Sequence, residues 1–174
     1  MTFDINASIE ILSRTPATLE ALLNGLSTAW LINNEGENTW SPYDIVGHLI
    51  HGEKTDWMPR AKIILSKLED KTFEPFDRFA QLNEDQNQPI EELLKEFRAI
   101  RTENLKELKA LPIDDAQLSK TGVHPELGIV RLKELLSTWV VHDLGHISQV
   151  SRVMAKQYKS EVGPWKQYLG ILKR

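Results

Sequence analysis

The sequence predicts an all-α fold: an up-down-up-down four-helix bundle with a short C-terminal helix and a short hairpin before the last long helix. Three observations carry that expectation. Apolar residues recur at helical spacing in four long stretches, breaker-rich segments of Pro, Gly, Asn and Ser separate those stretches, and only short β-branched runs such as GIVRL suggest a strand. Four amphipathic helices bury their apolar stripes together as a bundle. At 174 residues, 41% hydrophobic and 26% charged, the chain suits a single domain over residues 1–174 with its own core.

The first helical stretch covers residues 6–30, with Ile9, Leu12, Leu19, Leu22, Leu23 and Leu26 in register. Pro16 divides it, or opens its main part with Thr15 as the N-cap, because proline fits a first turn and breaks an interior one. After the polar NNEGENTW comes a helix start. Ser41 is a natural N-cap, Pro42 suits the first helical position, and Asp44 meets the positive end of the helix dipole. This second helix carries Ile45, Val46, Leu49, Ile50 and Trp57, with a kink expected at Pro59.

A loop around FEPFDRFAQLNEDQNQ leads to a third helix over residues 89–111, with Leu93, Leu94, Phe97, Ile100, Leu105 and Leu108 inward. A turn-rich connection then holds the hairpin, expected within residues 118–131. The fourth long helix covers residues 132–156, and a short last helix residues 165–172. Directions alternate up and down if every connection is antiparallel, but the loops are long enough for a crossover.

Composition narrows the function. Without cysteine there is neither a disulfide framework nor a thiolate metal site, so a transition metal would have to be held by histidine and carboxylate. A net charge of −4 with no basic cluster argues against nucleic acid. No basic region followed by an apolar run begins the chain and no long apolar run occurs in it, which argues against a signal peptide or membrane span and makes the cytoplasm the expected location.

The stretch HDLGH, residues 142–146, holds the chemical interest. At about 100° per residue, His142, Asp143 and His146 fall within or beside the same arc as Leu135, Leu136, Trp139, Val150 and Val153. A buried polar group without a partner costs roughly 2–7 kcal/mol, so this cluster needs partners or a ligand. The i, i+4 spacing lets both imidazoles reach one ion. A third ligand must come from another helix, and His48 and His51 in VGHLIHGE are the candidates. His48 lies at the edge of the apolar stripe of the second helix, and His51 farther toward solvent. Glu53 projects into the middle of that stripe, as a ligand, an acceptor for an imidazole N–H, a base, or a buried partner for Arg98 or Arg101. Asp143 reads in the same way, as a base or a supporting acceptor. His124, in an HP turn, reads as a surface residue, and Trp40, Trp57 and Trp139 as packing residues.

HDLGH also resembles HExxH, the zinc-protease motif, but Asp is a methylene shorter than Glu and would stand about 1.5 Å farther from its target. The downstream ISQVSRVMAKQ offers no third ligand at protease spacing. A protease is disfavoured on both counts.

Trp-Ser-Pro at 40–42 followed by His48, the HDxxHxxQ pattern from His142, the first-helix TPATLEALLNGLSTAWL and the closing VGPWKQYL together resemble the DinB/YfiT-like superfamily of metalloenzymes, over nearly the whole chain. That resemblance implies a four-helix bundle, often a homodimer, with a divalent metal on His48, His142 and His146. It also implies either thiol-dependent transfer using a low-molecular-weight thiol as cosubstrate or hydrolysis of a small-molecule substrate.

A three-histidine site leaves the ion its full charge and an open position, as catalytic sites do. Zn, Ni, Fe and Cu all suit imidazole. The alternatives are a non-catalytic small-molecule binding or sequestering protein, and a dimeric structural module whose core histidines are only hydrogen-bonded.

Overall fold

The computed structural model describes residues 2–83 and 88–173; of the expected loop before the third helix, residues 84–87 lie outside that range. The first stretch forms three helices, α1 (Ile5–Leu12), α2 (Thr15–Leu23) and α3 (Thr28–Ile32). Pro16 sits in the first turn of α2, but Arg14 is the cap residue and Thr15 is already helical. The left-handed Gly25 (φ 75°) follows α2, a conformation that favours glycine.

Helix α4 (Pro42–Thr55) starts where the sequence places it, on a reciprocal cap. Ser41 Oγ accepts the Asp44 N–H at 3.2 Å, and Asp44 Oδ2 accepts the Ser41 N–H at 2.9 Å. The helix ends before Asp56, and α5 (Trp57–Leu65) continues beyond it. Pro59 explains the break, since its ring collides with the carbonyl four residues back, that of Thr55. Helix α6 (Ile90–Ala110) is followed by the short α7 (Asp115–Leu118).

Strands β1 (Thr121–His124) and β2 (Gly128–Arg131) pair antiparallel, Thr121 opposite Arg131 and His124 opposite Gly128. The segment before them joins this hairpin, as the Phe73 N–H donates to the Val123 carbonyl and the Val123 N–H to the Lys71 carbonyl, both at 2.9 Å. Helix α8 (Leu132–Lys156) follows without a gap. The expected last helix is instead two 3-10 turns, Gly163–Tyr168 and Gly170–Lys173, separated at Leu169 just before Gly170.

The α1–α2 and α4–α5 arms each pack on both α6 and α8. Cross-contacts give the directions. Tyr43 meets Gln88, Lys54 meets Glu96 and Lys62 meets Glu107, so α4–α5 runs parallel to α6. Leu12 meets Arg101 and Glu20 meets Arg98, so α1–α2 runs against α6. Trp40 meets His146, His48 meets His142 and Glu53 meets Trp139, so α8 runs against α4. The four-helix bundle and hairpin stand, but the directions are up-down-down-up instead of the alternation expected for all-antiparallel connections. The physical reason is that the connection between Leu65 at the end of α5 and Ile90 at the start of α6 is long enough to permit a crossover.

Two apolar clusters fill the bundle. One centres on Leu19, Leu23, Ile45, Leu49, Phe97 and Val150, the other on Leu12, Met58, Ile64, Leu108, Leu136 and Trp139. Between them α4, α6 and α8 place polar residues inward: His48 and Glu53 from α4, Arg101 from α6, and Asp143 from α8, with the half-buried His142 beside it. No helix of the described residues is long and apolar enough to cross a membrane.

Candidate metal centre

Antiparallel α4 and α8 bring His48, His142 and His146 together. Nε2 of His142 lies 3.2 Å from Nε2 of His48 and 3.1 Å from Nε2 of His146, and one ligand atom of each ring lies within 4.8 Å of the others. Two nitrogens bound at about 2.0–2.1 Å in a tetrahedral shell stand roughly 3.3 Å apart. The spacing therefore fits one ion.

The protonation chemistry agrees. Burial, then the charge of His146, lowers the pKa of His48 to about 4, against the opposing pull of the Arg78 backbone. Burial and then the neighbouring imidazoles lower that of His142 to about 3. His146 is also lowered by burial, opposed by Gln149 and Asp143. All three rings are neutral near pH 7, as ligands must be. His146 Nδ1 lies 2.8 Å from Gln149 Oε1, a carbonyl acceptor that places the proton on Nδ1 and the lone pair on Nε2. Nδ1 of His48 and of His142 makes no hydrogen bond of ordinary geometry. The Arg78 carbonyl approaches His48 closely enough to influence its titration without closing such a bond.

Behind the imidazoles lies a buried ion cluster. Arg101, 1% exposed, donates through Nη1 to Asp143 Oδ2 at 2.6 Å and to the Leu12 carbonyl at 2.8 Å, and through Nη2 to Glu53 Oε1 at 2.7 Å and Asp143 Oδ1 at 3.1 Å. Trp139 Nε1 also donates to Glu53 Oε1, at 3.0 Å, and Asn104 Nδ2 to Glu53 Oε2, at 2.9 Å. Of the readings open for Glu53, the structure places it in the ion pair with Arg101. Asp143 shares that guanidinium. Both carboxylates face Arg101, away from any role requiring a free oxygen at the imidazoles.

His51 lies outside the cluster, beside Thr55 and the Phe76 ring. His124 corrects the surface reading, because the hairpin folds its turn over the site and makes the ring part of a cavity wall. Trp40 and Trp57 are buried as expected but also flank the site, their rings 4.6 Å from His48 and 5.1 Å from His142. The cavity that opens onto His48, His142 and His146 has a volume of about 740 Å³, the size of a small organic ligand's pocket. Sequence reasoning missed Asp56 and Arg60, and used Gln149 only as the last residue of the HDxxHxxQ pattern without giving it a role. Gln149 was legible as the residue one turn beyond His146, and Asp56 and Arg60 as an i, i+4 ion pair.

A family model described as the DinB superfamily matches residues 11–150. Among solved structures, YfiT from Bacillus subtilis, described as a probable metal-dependent hydrolase with an unusual four-helix bundle topology, is 18% identical. That match covers 91% of this chain and 87% of YfiT with a TM-score of 0.73. TT2238, described as a four-helix bundle protein, is 20% identical over 85% of this chain and 98% of its own, with a TM-score of 0.51. No curated protein sequence matches significantly.

Proposed function

The chain belongs to the DinB superfamily, and from that premise we propose that it is a divalent-metal-dependent enzyme acting on a small molecule, with His48, His142 and His146 as the metal ligands. One observation carries the reading: three imidazoles converge from two helices, Nε2 of His142 standing at tetrahedral-shell spacing from Nε2 of both His48 and His146, on rings that burial keeps neutral. Hydrogen-bonded core histidines alone would pair each nitrogen with an acceptor, whereas here three nitrogens face one another. When bound, a zinc, nickel or iron ion supplies Lewis acidity at a position open to the cavity.

The remaining work falls to the chain's own groups. Gln149 holds the His146 tautomer, and Arg101 ties Glu53 of α4 to Asp143 of α8, so that His48 and the HDLGH pair keep their separation. Glu53 and Asp143 therefore act by positioning and not as bases. The rings of Trp40, Trp57 and Phe76 present an apolar wall that limits water around the substrate.

The likeness to YfiT, a probable metal-dependent hydrolase, supports hydrolysis as the reaction class, and a requirement for a low-molecular-weight thiol would move the assignment to transfer. A cytoplasmic homodimer belongs to the same reading, with exposed Val141 and Leu144 on the outer face of α8 as contact surface.

Elemental analysis of untagged protein tests the proposal. It should show about one divalent ion per chain, and His142→Ala should lose it. Full occupancy in that variant would refute the ligand set. Ester and thiol-acceptor panels, run with and without thiol, then separate hydrolase, transferase and a binding protein that turns nothing over.

A further inference from the structure

Part of the cavity wall is polar, and its chemistry points to one kind of ligand. Phe73, 2% exposed, is the floor of that wall. The Arg60 guanidinium lies 5.2 Å over its ring, and the His124 ring stands edge-on to it at 6.4 Å. Gly122 makes the floor possible, because a Cβ there would meet Phe73 Cε1 at 2.5 Å.

Arg60 is 7% exposed and only partly engaged. Its Nε lies 2.8 Å from Asp56 Oδ1 and its Nη2 donates to the Glu74 carbonyl at 3.3 Å, while Nη1 has no hydrogen-bond acceptor among the described residues. His124 Nδ1 accepts the backbone N–H groups of Glu126 and Leu127, at 3.1 and 3.2 Å. The neutral ring therefore carries its proton on Nε2 and is a donor there. Arg78 lies in the same cavity wall, its guanidinium over the rings of Trp40 and Phe79, with no carboxylate partner among the described residues.

Few acceptors offset these donors. Glu134 is occupied by the backbone and side chain of Arg131, at 2.8 and 3.0 Å. Asp56 sits in the wall with its Oδ1 in no aligned hydrogen bond, and burial pushes its pKa up to about 6 against the pull of Arg60. Glu126 is exposed at the hairpin turn. Two guanidinium groups and an imidazole thus line a cavity whose remaining wall is mostly aromatic and aliphatic, from Trp40, Trp57 and Phe76 to Val130 and Leu135, and donors in such a setting call for an anionic acceptor.

We infer that this cavity takes a small organic carboxylate with a flat apolar body, its charged end held by Arg60 and His124 under the field of Arg78 and its body between the aromatic walls, reaching toward the imidazole cluster. The inference rests on the proposed metal site only for which end of the ligand reacts. A single guanidinium edge with one further N–H matches two coplanar oxygens better than a phosphate, which asks for donors on more sides.

Calorimetric titration of the full chain with phenylacetate and with its neutral analogue phenylethanol tests it, on protein as purified and after chelator treatment. Phenylacetate should bind about tenfold more tightly in both states. Arg60→Gln should reduce that advantage to within about twofold and Arg78→Gln should weaken it several-fold, whereas Arg60→Lys should retain part of it. Equal affinities for the two probes in the unsubstituted chain would overturn the inference. So would a preference unchanged in Arg78→Gln and Arg60→Lys, or one that vanishes with the metal, which would make the ion the anchor. Arg78 is exposed, so its variant reads binding even if Arg60→Gln fails to fold. A carboxylate preference in protein that carries no metal as purified and takes up none on addition of zinc, nickel or iron would uphold this inference and refute the proposed metal site.

Discussion

Replacing Arg101 with Met should both destabilise the fold and loosen the metal site. The guanidinium is held by six contacts: two to Asp143, one to Glu53, one to the Leu12 carbonyl, and the faces of Phe97 and Trp139 at 4.9 and 5.1 Å. Methionine matches its length and can keep the apolar contacts, but it leaves two fully buried carboxylates without their cation. Breaking a buried ion pair from one side costs about 3–5 kcal/mol, a large share of the ~5–15 kcal/mol by which domains are stable. At about 2–4 °C per kcal/mol for a chain of this size, melting followed by circular dichroism should fall by about 6–20 °C. Retention of the proposed divalent ion in the folded variant should fall as well, because Arg101 links α4 to α8. An added Glu53→Gln should recover part of the stability by removing one stranded charge. The informative control replaces Arg101, Glu53 and Asp143 together with apolar residues, which should restore stability without restoring metal affinity. An Arg101→Met protein within about 1 kcal/mol of the parent, retaining its ion, would refute the coupling between cluster and site.

Three further outcomes follow from particular contacts. Gln149→Leu should keep the fold and weaken metal binding by about 10–100-fold, measured by competition with a chelator, because His146 loses the acceptor that sets its tautomer. Gly122→Ala should cost about 1–3 kcal/mol in urea denaturation by forcing a Cβ against Phe73, and should impair ligand binding in the cavity above that ring. Hydrogen bonding and charge from Arg152, with Lys156 assisting against a smaller burial penalty, lower the Glu35 pKa from 4.5 to about 2. The folded pKa lies below the unfolded one, so this stabilisation is complete above about pH 4.5 and is lost as pH falls toward about 2. Glu35→Gln should flatten the acid limb of a stability-against-pH curve in that window, and an unchanged limb would count against the ion pair.

Features set by short-range physics were legible before any tertiary contact was known. The start of α4 follows from Ser41, Pro42 and Asp44 because capping acts within one turn, and α8 occupies the span its periodicity predicts. The inward Glu53 and the paired His142 and His146 follow from helical geometry too, since one helix fixes which of its residues share a face. The donor wall was not legible. Asp56 and Arg60 are recognisable as a pair, but only the hairpin and the segment near Phe73 bring them opposite the imidazoles, and His124 joins them by the same folding.

The sequence by itself determined the spans of α6 and α8, the cap of α4, the inward positions of Glu53 and Asp143 and the shared face of the HDLGH histidines, because each depends on backbone sterics and spacing within a few residues. Only the tertiary structure decided that the helices run up-down-down-up, that His48 stands 3.2 Å from a histidine 94 positions away, and that Glu53 and Asp143 converge on Arg101. A long loop can return the chain in either direction at little difference in entropy. Burying all the apolar stripes at once selects between those routes, and that is a property of the packed molecule.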